Sequence, residues 1–118
     1  MKVLRIDASI QGPRSASSEL ADLVEAECAA ARPGTEIVRR HIGASPLPAD
    51  AWPHAVQASG VPVDERTDAQ RTAVALAGEL AHELRDADVA ILALPLYNFG
   101  VSQHVKTWMD LAIIGGRR

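Results

Sequence analysis

Residues 89–94, Val-Ala-Ile-Leu-Ala-Leu, are apolar without a break between Asp88 and Pro95. A half-buried strand would alternate, so this run suits a central parallel strand covered by helices on each side. The rest of the chain supplies the surroundings that such a strand requires. Val3, Leu4, Ile6 and Ala8 form a first apolar run, closed by the turn-rich Ser9-Ile10-Gln11-Gly12-Pro13, which predicts a buried strand over residues 2–8. From Ser17 onward Leu20, Leu23, Val24, Cys28 and Ala31 recur at helical spacing, with Glu19 and Asp22 near the start, where the helix dipole favours negative charge. That helix ends at Pro33-Gly34. Ile37 and Val38 among charged neighbours in residues 35–42 predict a second strand close to a sheet edge. Residues 43–66 hold Pro46, Pro48, Pro53 and Pro62 with no clean period, and read as an extended loop. Thr67 and Gln70 have capping-box spacing and open a helix whose stripe of Val74, Ala77, Leu80, Ala81 and Leu84 runs up to Asp86. Ser102 is placed to cap a last helix with Val101, Val105, Trp108, Met109 and Ala112 on one face, ahead of Gly115-Gly116. Alternating strands and helices imply an α/β fold with a parallel, right-handed sheet, in which ligands bind beyond the C-terminal ends of the strands.

Composition narrows the function classes. The 118 residues, 47% apolar and 23% charged, are ordinary for one small globular domain spanning 1–118. A chain of this length buries only about two-thirds of its unfolded surface, and much of the apolar fraction is Ala, so a partner subunit would help the core. Twelve Lys and Arg stand against fifteen Asp and Glu, and no basic run exceeds two residues, which argues against nucleic acid as a partner. The single Cys28 leaves no intrachain disulfide and reads as a small core residue. Lys2, Arg5 and Asp7 interrupt the first strand and no long apolar stretch follows, so neither a signal peptide nor a membrane span is expected and the reading is cytoplasmic. His41, His54, His82 and His104 lie in different elements without metal-ligand spacing and read as surface or loop residues. Asp7 and Asp88 read as strand-end and helix-exit residues rather than a catalytic pair.

Two loops occupy the ligand-binding end of the predicted sheet. In the first, Ser9, Ser15, Ser17 and Arg14 surround the start of a helix, where unpaired N–H groups and the positive dipole end favour an anion such as phosphate. The same serines also suit plain helix capping. Neither G-x-G-x-x-G nor G-x-x-x-x-G-K-[ST] is present, which speaks against a Rossmann dinucleotide site and a nucleotide triphosphatase and leaves room for a mononucleotide. The second loop, Pro95-Leu96-Tyr97-Asn98-Phe99-Gly100, holds two of the four aromatic residues of the chain. Rings concentrated there suit a flat ligand, with backbone N–H groups and the Asn98 amide to pair with its polar edge; they would equally plug the top of the sheet.

Together, Ala8-Ser9-(five residues)-Ser15-Ala16-Ser17, Pro95-Leu96-Tyr97-Asn98-Phe99 and Lys106-Thr107-Trp108-Met109-Asp110 resemble the FMN-dependent NADH:azoreductase (NADH:quinone oxidoreductase) family of flavodoxin-like proteins. The Ser-rich loop alone is weakly specific, whereas the P-L-Y-N-F segment followed by S-x-x-x-K-x-W-M-D is strongly so. The resemblance implies that Ser9, Ser15, Ala16 and Ser17 hold the FMN phosphate and that Leu96, Tyr97, Asn98 and Phe99 line the flavin. It further implies two-step hydride transfer from NADH or NADPH through FMN to a quinone or azo compound, a flat aromatic electron acceptor, with no side chain acting as nucleophile. Family members are homodimers, which makes the proline-rich loop and the last helix candidate dimer contacts. A flavodoxin-like sheet has five strands ordered 2-1-3-4-5, and this sequence supplies the first three, without the family's third flavin-contacting loop. The third strand would then be an exposed edge, completed by a dimer, by a separate chain, or by sequence lost from a fragment. The alternative function is a non-catalytic remnant, or a binding subunit that needs a partner to complete the fold.

Overall fold

The computed structural model describes residues 1–11, 15–97, 100–101 and 103–116, and of residues 96, 97, 100 and 101 the backbone only. Strand β1 (Lys2–Asp7) is the middle of a three-stranded sheet ordered β2-β1-β3, with β2 at Glu36–His41 and β3 at Val89–Ala93. Both pairings are parallel, in a register that sets Leu4 beside Val38 on one side and Ala90 on the other. This is the order implied by the resemblance for its first three strands. Asp88 fixes the register at the start of the sheet: its carboxylate accepts from the Lys2 amide at 2.8 Å, and its own amide donates to the Lys2 carbonyl at 2.7 Å.

The pleat divides β1 into two chemically distinct faces. Leu4, Ile6 and Ala8 point into the larger core, shared with helices α2 (Ala51–Ala58), α3 (Asp68–Asp86) and α4 (Gln103–Gly116). Val3, Arg5 and Asp7 point toward helix α1 (Ala16–Ala31), where a smaller apolar cluster of Val3, Ala21, Ile91 and Ala93 lies beside a buried ionic network. Edge strand β2 carries Arg39 and Arg40, which explains its charged composition. Arg39 pairs with Glu25 of α1, and Arg40 takes Glu83 of α3 bidentately at 2.8 and 2.7 Å.

Several sequence expectations are corrected. Residues 43–66 are not all loop: α2 crosses them, followed by a 3-10 turn at Val63–Glu65. The helix was hidden because its buried face is only Ala51, Ala55 and Ala58, and because Pro53 lies in its first turn, where a missing N–H costs no bond. The apolar stripe of α1 is also turned away from the core. Leu20 and Leu23 are 64% and 66% exposed, and Ser18 and Ala21 face the sheet instead. The buried charges on β1 decide this rotation, because Ser18 and Glu25 must turn inward to meet Arg5, which Asp22 reaches from the exposed rim. Cys28 is half-buried against the smaller cluster. In α4, Val105, Trp108 and Ala112 are buried as expected, whereas Leu111 takes the place assigned to Met109, which is exposed.

Strand β3 is not covered on both faces. No strand pairs with its outer edge among the described residues, and Leu92 is 45% exposed there. Beyond it, β4 (Leu96–Tyr97) and β5 (Gly100–Val101) form a short antiparallel hairpin that the sequence did not announce. The capping box of α3 is present as expected, with Thr67 Oγ1 accepting from the Gln70 amide at 3.1 Å and Gln70 Oε1 from the Thr67 amide at 3.0 Å. The Ser102 cap lies outside the described residues. No described helix is long and apolar enough to cross a membrane.

Candidate functional site

At the C-terminal end of β1 the chain leaves the sheet at Ala8 and Ser9, both buried, and returns at Ser15 to begin α1. Ser15 is the N-cap. Its extended backbone (φ −75°, ψ 149°) lets Oγ accept from the Ser18 amide at 3.1 Å. The amides of Ala16 and Ser17, at the first two positions of the helix, have no carbonyl one turn earlier to bond. Ser17 Oγ lies 3.3 Å from Ser15 Oγ, so the two hydroxyls form a pair at the mouth of the helix. Ser9 Oγ accepts from the Gln11 amide at 3.1 Å.

These groups border a cavity of about 320 Å³ lined by Ser9, Gln11, Ser15, Ala16, Ser17, Leu20 and Pro95. Pro95, which follows β3, brings the second predicted loop to the same cavity as the first. The structure therefore gathers Ser9, Ser15, Ala16 and Ser17 around one space. The backbone of Leu96 and Tyr97 belongs to β4, next along the chain from Pro95. Asn98 and Phe99, like Gly12 and Arg14 of the first loop, lie outside the described residues, as do the side chains of Leu96 and Tyr97.

The chemistry of the donor set fits a phosphoryl group. Two adjacent hydroxyls, the free amides of a helical first turn and the positive end of a sixteen-residue helix all favour an anion. The network behind the cavity was missed at the sequence level. Arg5 is 5% exposed, and donates to Asp7 bidentately at 2.8 and 3.0 Å, to Asp22 at 2.6 Å, to Glu25 at 2.7 Å and to the Ser18 carbonyl at 3.1 Å. Burial alone would weaken the guanidinium's hold on its proton, but the hydrogen bonds to Asp7, Asp22 and Glu25 outweigh burial and raise its pKa. Asp7 also accepts from the Ser18 hydroxyl at 3.1 Å. The available signal was the spacing: Arg5 and Asp7, two apart in an otherwise apolar strand, must share one face. Asp7 and Asp88 do not form a pair; each has its own structural bonds, as the sequence reading assigned them.

Gly43 is a second missed residue. A Cβ built there would lie 2.3 Å from the Ser9 carbonyl oxygen, so the end of β2 can approach the loop after β1 only through a glycine. Two bonds to the Asp7 carbonyl, from Ile42 at 2.8 Å and Gly43 at 3.3 Å, hold that approach.

A parallel sheet ordered 2-1-3, with a serine-lined cavity at the strand ends, is the arrangement of the flavodoxin-like class, and the chain belongs to that family: residues 1–117 match the family described as having a flavodoxin-like fold. More particularly, it is similar to FMN-dependent NADH:quinone oxidoreductases. The enzyme of Thiobacillus denitrificans is 40% identical over 110 residues, covering 93% of this chain and 52% of the relative. An enzyme of Hahella chejuensis is 37% identical over 110 residues, covering 92% and 52%. Among solved structures, an azoreductase from Bacillus anthracis superposes with a TM-score of 0.76 at 23% identity, covering 94% of this chain and 54% of its own. The chain thus spans about half the length of the relatives it matches.

Proposed function

We propose that this chain is an FMN-binding oxidoreductase that takes reducing equivalents from NADH or NADPH and delivers them to a quinone or azo compound. The observation that carries the reading is the single cavity in which the Ser9, Ser15 and Ser17 hydroxyls meet Pro95 of the second loop. The names of the relatives, FMN-dependent NADH:quinone oxidoreductases, supply the cofactor and the reaction class. Ser9, Ser15, Ala16 and Ser17 hold the phosphate of FMN in this reading, and Leu96, Tyr97, Asn98 and Phe99 line its ring system. When bound, FMN supplies the hydride chemistry, accepting two electrons from the nicotinamide and releasing them to a flat aromatic acceptor. The protein contributes binding and orientation. The α1 amides and serine hydroxyls fix the charged end of the cofactor, and the aromatic loop admits planar molecules beside it.

The same reading takes residues 1–118 as one domain carrying the first half of the fold, and places the protein in the cytoplasm, where reduced nicotinamides are regenerated. It takes the assembly as a homodimer, in which α2 and α4 are the contact elements. Supporting this, Trp52, Val56 and Ile113 of these helices are exposed apolar residues lining a shared groove of about 390 Å³.

Titration of the purified 118-residue chain with FMN, followed by quenching of flavin fluorescence at protein concentrations that favour a dimer, tests the reading. Saturable binding near one FMN per chain is expected. A folded chain that leaves the fluorescence unchanged overturns it.

A further inference from the structure

Residue 18 is gripped at three atoms. Its amide donates to Ser15 Oγ at 3.1 Å, its carbonyl accepts from Arg5 Nη2 at 3.1 Å, and its hydroxyl donates to Asp7 Oδ1 at 3.1 Å. All of these partners are buried: Ser15, Arg5 and Asp7 are each 5% exposed and Ser18 is 3% exposed. We propose that Asp7 is a positioning residue for the phosphate end of the site and acts through Ser18, an inference that rests on the FMN reading above.

The argument follows the bonds outward from the sheet. Asp7 is the last residue of β1, and Ser9, two residues later, lies on the cavity. Ser15 and Ser17 lie on the other side of the same cavity, at the start of α1. The distance between these two walls is set by how the first turn of α1 is registered against the end of β1. Two side-chain bonds tie the first turn of α1 to the end of β1 at this point, from the Ser18 hydroxyl to Asp7 and from Arg5 to the Ser18 carbonyl, and the first is the one that Asp7 makes. Because Ser15 Oγ already accepts the Ser18 amide, its own hydrogen is left to turn toward Ser17 Oγ or toward an oxygen in the cavity.

A carboxylate buried beneath an anion site would by itself repel a phosphate. Arg5 reduces that repulsion, because its bidentate pair with Asp7 at 2.8 and 3.0 Å brings a positive charge against the carboxylate. Asp7 is thereby oriented and its repulsion of the ligand is weakened, although Arg5 is shared with Asp22 and Glu25.

A purely structural role would weaken every flavin equally when the link is cut. Positioning of the phosphate end predicts a selective loss, which a comparison of FMN with riboflavin, its analogue without phosphate, reads directly. In Ser18→Ala the dissociation constant for FMN is expected to rise about five- to tenfold, as for loss of one hydrogen bond, with that for riboflavin within about twofold. Ser18→Thr keeps the hydroxyl and is expected to retain the wild-type ratio. If Ser18→Ala does not fold, Ser18→Cys serves instead, since a thiol fills the same space but is a weak donor to Asp7, and the same selective loss is expected. Equal weakening of both flavins, or no change in either, overturns the inference while leaving the FMN reading intact. Failure of the folded wild-type chain to bind FMN removes the FMN reading and this inference with it.

Discussion

Gly43 and Ser9 illustrate how a single hydrogen in place of a methyl group shapes the site. The Ser9 carbonyl carbon and oxygen lie 2.6 and 2.3 Å from where a Cβ at residue 43 would be, and neither is the end of a flexible side chain. Gly43→Ala must therefore displace backbone, either at the end of β2 or in the phosphate-side loop. A destabilisation of about 1–3 kcal/mol is expected from such overpacking. Urea denaturation would measure it, and FMN affinity is expected to fall in parallel because Ser9 is the residue displaced. A wild-type midpoint in Gly43→Ala would show that the loop gives way freely. The serines of this loop were legible in the sequence, because hydroxyl residues ahead of an apolar helical pattern carry a known meaning. Gly43 was not legible: its constraint comes from a residue thirty-four positions away, brought beside it by parallel pairing.

Helices α3 and α4 pack closely enough for their glycines to have opposite roles. At Gly115 a Cβ would meet the Ala77 carbonyl oxygen at 2.0 Å, whereas at Gly78 nothing lies within 4 Å. Helix propensity alone favours Ala over Gly by about 1 kcal/mol at either position. At Gly78 that preference acts unopposed, so Gly78→Ala is expected to raise stability by about 0.5–1 kcal/mol. At Gly115 the clash with helix backbone exceeds it, and Gly115→Ala is expected to cost about 1–3 kcal/mol. Thermal melts of the two variants, which should move in opposite directions, check both. At this scale the sequence revealed α1, α3, α4 and all three sheet strands, because each carried a period, a cap or an unbroken apolar run. It concealed α2, whose buried face is built from alanines too small to mark a stripe.

Across the whole molecule, apolar side chains collect on the flank beside β3. Leu20 and Val24 of α1 border a groove along residues 91–94, and Leu84, Leu92, Met109 and Ile113 border a second, of about 550 Å³, on the opposite face of the sheet. An open patch of this kind binds apolar reporters. The 118-residue chain is expected to enhance the fluorescence of a hydrophobic dye, and the double variant Leu92→Glu, Met109→Glu to lose most of that signal with little change in melting temperature, since both side chains are exposed. An undiminished signal would place the dye elsewhere.

The sequence by itself determined the α/β order, the parallel sheet and the two ligand-end loops. These are written in local signals: apolar periodicity, capping spacing and the P-L-Y-N-F segment. The tertiary structure decided which way α1 faces. Its leucines suggested a core stripe, but Arg5 and Asp7, once buried on β1, require hydrogen-bonding partners far more strongly than two leucines require cover. Those partners lie on the polar side of α1, so the helix turns Ser18 and Glu25 inward, reaches Arg5 with Asp22 from the rim, and leaves its leucines outward. The spacing of Arg5 and Asp7 puts them on one face of the strand, but which helix face must meet them appears only when the chain is folded around that pair.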